Sequence, residues 1–333
     1  MSGPAAFTDP TPRPGPAANR TPVLEFVLSG LTDVRALQLL LFAVLLVTYV
    51  LTLLGNLLIL TLTLADRRLA TPMYDFLRHC SLLEVGFTST VTPQVLVHLL
   101  TGRGTISRAR CFVQTGLYFI LGPAETLLLK VMSVDRYLAI CRPLRYPALV
   151  SARLCPVLVL ACWGGSFLFL TAPCVWMFSL PFCGPNVLDH FFCDTTPSLE
   201  LVCADTRPLQ LVSFLVAVCA LAGALAVTSV SDGCITGTVL HLPSSGGHGK
   251  AFSTCSSHIL VVSLSCGSCP LMYLRPRQTG RLELNKAVAF FSTIVSPLLS
   301  PFVYCLRNEL VQKVSRDLLI KGERFSAAKK LRV

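Results

Sequence analysis

The chain has 333 residues, of which 53% are hydrophobic and 14% are charged. This balance excludes an ordinary water-soluble protein, because too few polar side chains remain to cover a folded surface. The formal net charge of +11 would suit nucleic-acid binding in a soluble domain, but here the basic residues lie between apolar runs. Lipid headgroups and membrane topology account for them better, so we expect a protein of the lipid bilayer with no nucleic-acid partner.

Seven stretches of the sequence are apolar over the length that a helix needs to cross a bilayer, which is about 20 residues. We number them as spans one to seven. They cover residues 37–64, 76–100, 112–138, 155–180, 209–240, 252–274 and 284–306. The sequence therefore predicts an all-α membrane protein, a seven-transmembrane helix bundle.

The bundle leaves two short end regions. Residues 1–36 are predicted to be a disordered extracellular tail, because the first part is rich in Pro, Ala and Gly and has no periodic apolar face. Residues 37–307 form the membrane domain, and residues 308–333 form a cytoplasmic tail with a short amphipathic helix.

The cytoplasmic tail is rich in Lys and Arg, which the positive-inside tendency places in the cytoplasm. Within it, Leu310, Val314 and Leu318 recur every four residues between charges, a pattern typical of a helix on the inner membrane surface. The outer loops also carry arginines, among them Arg108, so charge alone does not decide the orientation. Asn19 begins an Asn-Arg-Thr sequon, which is glycosylated only if the N-terminus is extracellular.

Four of the 15 cysteines are predicted to lie on the outer side, where disulfide bonds form. They are Cys111, Cys183, Cys193 and Cys203. Their spacing alone does not fix which of them pair. His190, Cys193 and Asp194 are all residue types that bind metals, but a disulfide at Cys193 would remove its thiolate, so no metal site is predicted.

Several motifs agree with one family in order and spacing. The most specific is MSVDRYLAIC at residues 132–141, followed by PLRY at 143–146. The others are GN at 55–56, TPMY at 71–74, PFCGPN at 181–186, HFFCD at 190–194 and KAFSTCSSH at 250–258. Together they resemble the olfactory receptors, a family of rhodopsin-like G-protein-coupled receptors, and the resemblance runs from about residue 25 to residue 319.

The resemblance implies an odorant receptor of the plasma membrane. Such a receptor binds small, mostly apolar organic molecules and activates a stimulatory heterotrimeric G protein, so that cyclic AMP rises. The resemblance implies no enzyme activity, no catalytic residues and no cofactor other than a sodium ion. Two alternatives remain, a chemosensory receptor for a non-odour metabolite and an olfactory receptor whose signalling is impaired.

The resemblance also implies roles for individual residues. Cys111 would pair with Cys193, and Cys183 with Cys203, so that the second outer loop is clamped over span three. The implied ligand-pocket residues, which ordinary helix packing would explain nearly as well, are Tyr118, Phe119, Gly122, Val216, Cys269, Tyr273 and Thr293. The implied coupling and activation residues are Asp135, Arg136, Tyr137, Asp232, His258, Ser300, Pro301 and Tyr304.

In such receptors, the aspartate of the third-span motif holds its arginine in the resting state. Here these residues are Asp135 and Arg136. The arginine turns toward the G protein when span six swings outward, a two-state movement that a ligand biases by preferring one state.

Two acids are predicted near the centre of the bundle. Glu84 lies in span two and Glu125 in span three. Facing carboxylates would share a sodium ion or a proton, whereas separate acids would each be protonated and hydrogen-bonded. The sequence leaves both arrangements open.

Some residues depart from the family pattern. Ser300 replaces the usual Asn, and Asp232 replaces the usual Tyr. Asp232 would either pair with Arg136 and hold the resting state, or face the cytoplasm. Charges at Lys130, Asp75 and Arg78, the helix-breaking Pro123, and Cys266 at a usually aromatic position add to a pattern that fits a signalling-poor receptor.

Two other classes of protein fit the sequence less well. A transporter or channel would show an internal repeat or a polar stripe through several spans, and neither pattern is present in the sequence. An intramembrane enzyme would need converging catalytic groups, but His79, His98 and His258 are predicted on different spans or at different ends.

Overall fold

The computed structural model describes residues 23–151, 153–183, 186–241, 281–308, 310–318 and 320. The predicted span six therefore lies outside the described residues. So do five of the residues singled out from the sequence, namely Asn19, His258, Cys266, Cys269 and Tyr273.

The other six predicted spans are all helical. Spans one to five are the helices Arg35–Ala65, Pro72–Thr101, Arg108–Cys141, Leu154–Ser179 and Arg207–Leu240. Span seven begins as the helix Arg281–Phe290, continues through a π-helical turn at Phe291–Val295 and ends as the helix Ser296–Arg307. Within the described ranges, five helices are long and apolar enough to cross a membrane, and span two is the more polar exception.

Short helices and strands connect the spans. A 3-10 turn at Arg67–Leu69 joins spans one and two, and short helices at Tyr146–Leu149 and Thr195–Glu200 follow spans three and four. Three strands lie on the outer side, β1 at Glu25–Leu28, β2 at Thr105–Ser107 and β3 at Val187–Leu188.

The end of the predicted disordered tail is ordered, so the assignment of residues 1–36 was wrong there. β1 is the central strand of the outer sheet, antiparallel to β2 and parallel to β3, and span one already begins at Arg35. Phe26 and Leu28 are buried while Glu25 is exposed, which is the period of two expected of a strand covered on one face. The apolar partners come from elsewhere in the chain, Ile106 among them, so the local composition gave no sign of them.

Arginines on the outer side bind the carboxyl ends of helices. The Arg35 guanidinium donates to the carbonyl oxygens of Leu99 (3.0 Å) and Leu100 (2.6 Å), in the last turn of span two. Arg108 donates to the Phe178 carbonyl (2.6 Å) near the end of span four. Carbonyls at a helix C-terminus lack partners within the helix and carry partial negative charge. This role accounts for Arg108, one of the outer-loop arginines that depart from the positive-inside tendency.

The predicted amphipathic helix is present at residues 310–318. Val311 and Val314 are buried against the inner end of the bundle, while Lys313 and Arg316 are exposed. Its apolar face therefore packs on the protein and includes Val311, which the four-residue spacing had not suggested.

Two polar contacts attach this helix to the rest of the inner side. Arg68, in the loop after span one, forms an ion pair with Asp317 (2.8 Å). The Tyr74 hydroxyl of span two donates to Asn308 Oδ1 (3.1 Å). The C-terminal helix is therefore fixed to the inner ends of spans one and two.

Gly104 gives a test of the outer sheet. The Leu28 backbone N–H donates to the Gly104 carbonyl (2.8 Å), so the two backbones lie side by side. A Cβ on Gly104 would collide with the Leu28 carbonyl oxygen and lie 2.8 Å from the His98 ring. Because a backbone atom cannot turn aside as a side chain can, we expect Gly104→Ala to cost about 3 kcal/mol and to lower surface display several-fold.

The measurement is the ratio of surface to total receptor in transfected cells. Gly164→Ala is the matched control, since a Cβ there meets no atom within 4 Å. Equal surface display of the two variants would show that the sheet does not pack as described.

Candidate functional site

An aromatic cluster surrounds Tyr118, one of the predicted pocket residues. Tyr118 of span three has its ring centroid 4.9 Å from Phe87, 5.0 Å from Phe192 and 6.0 Å from Phe119. Phe87 belongs to span two, and Phe192 comes from the second outer loop. We call these four residues the aromatic cluster. The sequence analysis identified Tyr118 and Phe119 and missed the other two, although Phe192 lies within the HFFCD motif.

The remaining predicted pocket residues differ in their positions. Gly122 lies against Phe87, because a Cβ there would be 3.1 Å from the Phe87 ring. Thr293 is fully buried, and its hydroxyl donates to the Ala289 carbonyl (2.7 Å) within span seven. Val216 of span five is 38% exposed, and the described contacts do not join it to the aromatic cluster. Of the predicted pocket residues, the structure thus brings Tyr118, Phe119 and Gly122 of span three together around the aromatic cluster. Val216 lies apart from them.

The second outer loop is bonded to span three beside this cluster. The structure joins Cys111 to Cys193 and Cys183 to Cys203, with Cα atoms 5.5 and 5.6 Å apart, which are the two pairings that the resemblance implies. Around Cys193, Gln114 Oε1 accepts from the backbone N–H (3.0 Å), and the Thr115 hydroxyl donates to the backbone carbonyl (2.8 Å). These two bonds also fix Phe192 above Tyr118. Polar residues in an apolar span are the signal that would have identified Gln114 and Thr115.

Span seven contacts the same loop through an ion pair. Lys286 Nζ lies 2.7 Å from Asp189 Oδ1, and the Ser29 hydroxyl donates to the same oxygen (2.6 Å). The Lys286 ammonium, followed by the Ser29 hydroxyl, lowers the pKa of the Asp189 carboxyl. The neighbouring His190 is 2% exposed and stacks on Phe191, and its burial lowers the pKa of the imidazole. At neutral pH the loop therefore contains a charged Asp189 next to an uncharged His190.

The coupling motif lies at the inner end of span three. Asp135 is 4% exposed and accepts a hydrogen bond from the Tyr146 hydroxyl (2.9 Å). The Asp135 carboxyl also interacts electrostatically with Arg136, although no ion pair within 4.0 Å joins these two described residues, so the expectation that Asp135 holds Arg136 stays a prediction. Consecutive residues of a helix point in different directions, which explains why the hydrogen bond of Asp135 is to Tyr146.

Asp232 approaches Arg136 from span five. Asp232 is 7% exposed, so the alternative that it faces the cytoplasm was wrong. Its carboxyl interacts electrostatically with Arg136, while Asp232 Oδ2 and Arg136 Nε are buried without a hydrogen-bond partner among the described residues. The adjacent Ser231 hydroxyl donates to the Ser133 carbonyl (2.7 Å), which fixes this part of span five against span three.

The comparisons with known proteins agree with this arrangement. The family described as Olfactory receptor matches residues 45–321. Olfactory receptor 6E1 of Mus musculus is 51% identical over 310 residues, covering 93% of this chain and 99% of that relative. Olfactory receptor 6T1 of Homo sapiens is 48% identical over 315 residues, covering 95% of this chain and 97% of that relative. The chain belongs to the olfactory receptor family.

Membership settles the broad class of the protein. Olfactory receptors are multi-pass proteins of the plasma membrane, and they are signalling receptors rather than enzymes. The fold class predicted from the sequence, a seven-transmembrane helix bundle, is confirmed by the family and by the helices described above.

The two acids of this olfactory receptor lie close together at the bundle centre. Glu84 is 1% exposed and Glu125 is 7% exposed, and their carboxyls interact electrostatically. The side chains of Asn56 and Ser300 lie beside the Glu84 carboxyl, and Asn56 Oδ1 is buried without a partner among the described residues. Two carboxyls, a hydroxyl and an unsatisfied amide oxygen fit a sodium ion or a shared proton. Groups of three or more His, Cys, Asp or Glu residues that could hold a metal do not occur in the described ranges.

The other unusual residues have contacts within the bundle. Asp75 and Arg78 form an ion pair one turn apart on span two. Lys130 faces span five, where a Cβ on Gly223 would lie 3.5 Å from its Nζ. Pro123 lies within the continuous helix of span three. The charges of Asp75 and Arg78 therefore compensate each other, and Lys130 lies between spans three and five.

The remaining activation residues lie on spans three and seven. Ser300 is 1% exposed, and its hydroxyl donates to the Ser296 carbonyl (3.1 Å). Pro301 lies 3.0 Å from the position of a Cβ on Gly55, so Gly55 lets span one approach span seven closely. Tyr137 packs on span five, and Tyr304 belongs to the helix Ser296–Arg307.

Proposed function

We propose that this olfactory receptor binds a small, mostly apolar organic odorant at the aromatic cluster and activates a stimulatory heterotrimeric G protein, which raises cyclic AMP. The observation that carries the proposal is the contact of Phe192 with Tyr118. In this contact an aromatic side chain of the outer loop lies against Tyr118 of span three, one of the predicted pocket residues.

The chemistry of the cluster suits such a ligand. Phe87, Phe119 and Phe192 offer ring faces and edges, and Tyr118 adds one hydroxyl. Apolar walls with few polar groups favour molecules that gain by leaving water, and a single polar contact gives orientation. Gly122 supports this use, because a larger residue there would displace the Phe87 ring from span three.

The inner end of span three suits G-protein coupling. Asp135 accepts a hydrogen bond from Tyr146, and Arg136 interacts electrostatically with both Asp135 and Asp232. In the proposed mechanism the buried Asp232 restrains Arg136 in the resting state, and Arg136 contacts the G protein in the active state. A ligand that binds the active state more tightly shifts the population toward coupling.

Glu84 and Glu125 are proposed to hold a sodium ion or a shared proton in one of these states. A sodium ion would supply positive charge between two carboxyls that otherwise repel each other. Besides the two carboxyls, the side chains of Asn56 and Ser300 contribute an amide and a hydroxyl beside Glu84.

Asn19 remains a predicted glycosylation site.

The experiment is a cyclic AMP screen in cells that express the chain with the olfactory stimulatory G protein and a trafficking chaperone. A broad odorant panel is applied, and surface staining is recorded for every well. A concentration-dependent rise in cyclic AMP supports the proposal. Normal surface display with no response to odorants would contradict it and would favour a ligand of another kind or an impaired receptor.

A substitution at Asp232 tests whether its carboxylate holds Arg136 in the resting state. If its carboxylate restrains Arg136, then Asp232→Asn should raise ligand-independent cyclic AMP about fivefold per surface receptor, since a moderate charge interaction is worth about 1 kcal/mol. Glu200→Gln, at an exposed site on the outer side, is the matched control for loss of one carboxylate. Unchanged basal cyclic AMP in Asp232→Asn would remove Asp232 from the resting-state contact.

A further inference from the structure

Three segments that are distant in the sequence meet at one carboxylate on the outer side. Asp189 Oδ1 accepts from Lys286 Nζ (2.7 Å) and from Ser29 Oγ (2.6 Å). Ser29 follows β1, Asp189 follows β3 in the second outer loop, and Lys286 lies in the first helix of span seven. We call Ser29, Asp189 and Lys286 the outer latch.

We infer that the outer latch is a reversible electrostatic closure that keeps the second outer loop against span seven, above the aromatic cluster. The disulfide between Cys111 and Cys193 fixes one end of the loop segment 189–193 to span three. At the other end of this segment, the Asp189–Lys286 ion pair joins the loop to span seven. The loop can therefore pivot at Cys193 when the ion pair opens.

Backbone contacts link the latch to the rest of the loop. The Ser29 N–H donates to the Leu188 carbonyl (2.9 Å), and the Gly30 N–H donates to the His190 carbonyl (3.2 Å). Phe191, next in the chain, lies 6.5 Å from the Phe290 ring of span seven. Movement of Asp189 away from both Ser29 and Lys286 would break both backbone hydrogen bonds and separate these two rings.

The two charges of the latch lie in different environments. The Lys286 side chain is 12% exposed, whereas the Asp189 side chain is 48% exposed. Removing the carboxylate leaves a nearly buried ammonium without that counter-charge, while removing the ammonium leaves a carboxylate that water and Ser29 can still solvate. Loss of Asp189 should therefore open the loop more than loss of Lys286 does.

A consequence for ligand binding rests on the proposed function. An odorant that enters from the outer side passes the loop segment 189–193 on its way to Tyr118, which Phe192 of that segment contacts. The latch would then set how fast the ligand enters and leaves. Whether the outer latch closes the loop can be tested without any ligand. This inference can therefore fail while the proposed function stands.

The test is hydrogen–deuterium exchange of the purified full-length receptor in lipid nanodiscs, read in peptides that cover residues 25–31 and 186–193. In Asp189→Asn we expect exchange in both peptides to rise about tenfold, because the Ser29 and Gly30 amides lose their acceptors when the loop opens. Lys286→Gln should raise exchange in both peptides about threefold. The charge exchange that combines Asp189→Lys with Lys286→Asp should return exchange to within about threefold of the parent.

Asp205→Asn is the matched control, since Asp205 forms an outer ion pair with Arg207 at 4.0 Å in which both side chains are largely exposed. Asp205→Asn should leave hydrogen–deuterium exchange in both peptides unchanged. If the latch variants fold poorly, the parent receptor is measured in about 0.1 M and 1 M sodium chloride, where screening should raise exchange in the two peptides about threefold and leave span three unchanged. Equal exchange at both salt concentrations, or in the parent and Asp189→Asn, would overturn the inference.

Discussion

Cys111→Ser is expected to reduce surface display of this olfactory receptor to near background. Cys111 and Cys193 are both almost fully buried, and their bond attaches the second outer loop to span three. Removing a native disulfide costs about 2–5 kcal/mol, which is a large share of the stability of a marginally stable fold. Here the loss would also release the loop residue Phe192 from Tyr118, so quality control should retain the chain inside the cell.

The measurement is surface against total receptor by staining of intact and permeabilised cells. Cys219→Ser is the matched control, because Cys219 is an exposed free cysteine of span five. Cys193→Ser should lower surface display as much as Cys111→Ser does. The double variant should lower it no further, since all three variants remove the same bond. Normal surface display of Cys111→Ser would show that the clamp is dispensable.

Arg136→Ala is expected to reach the surface and to lose all ligand-stimulated cyclic AMP. The Asp135–Tyr146 hydrogen bond does not involve Arg136, so we expect the fold at this end to persist in the variant, whereas the proposed coupling needs the guanidinium. Arg136→Lys should retain only a small part of the response, because lysine keeps the charge without the planar set of donors.

Cyclic AMP is recorded for a ligand identified in the screen and is normalised to surface receptor. Arg316→Ala is the matched control, because Arg316 is exposed on the C-terminal helix of the same inner side. A normal response from Arg136→Ala would remove Arg136 from the coupling mechanism while leaving the ligand site untouched.

The sequence predicted the helices well because their signal is local. Each helical span needs a long apolar run, so six of the predicted spans match described helices to within a few residues at most ends. The larger differences are at the start of span two, which begins at Pro72, and of span three, which begins at Arg108. Both helices extend beyond the apolar run because polar residues continue the backbone hydrogen bonding outside the bilayer.

The site was predicted less completely, because its contacts join distant parts of the chain. Phe87 and Phe192 join the aromatic cluster through their positions around Tyr118, and neither the apolar run around Phe87 nor the HFFCD motif around Phe192 indicates that contact. Val216, which the resemblance implied as a pocket residue, is exposed on span five. Periodicity gives the face of a helix, whereas the rotation of each helix about its axis is set by packing.

The sequence by itself determined the membrane class, the positions of the spans and the family, since these follow from apolar length and from contiguous motifs. Only the tertiary structure decided which partner each charged group has. It placed Asp135 on Tyr146, Asp232 beside Arg136 and Asp189 on Lys286. A charge buried at low dielectric must find a partner, but residue spacing does not indicate which of several distant candidates the folded chain will bring within a few ångströms.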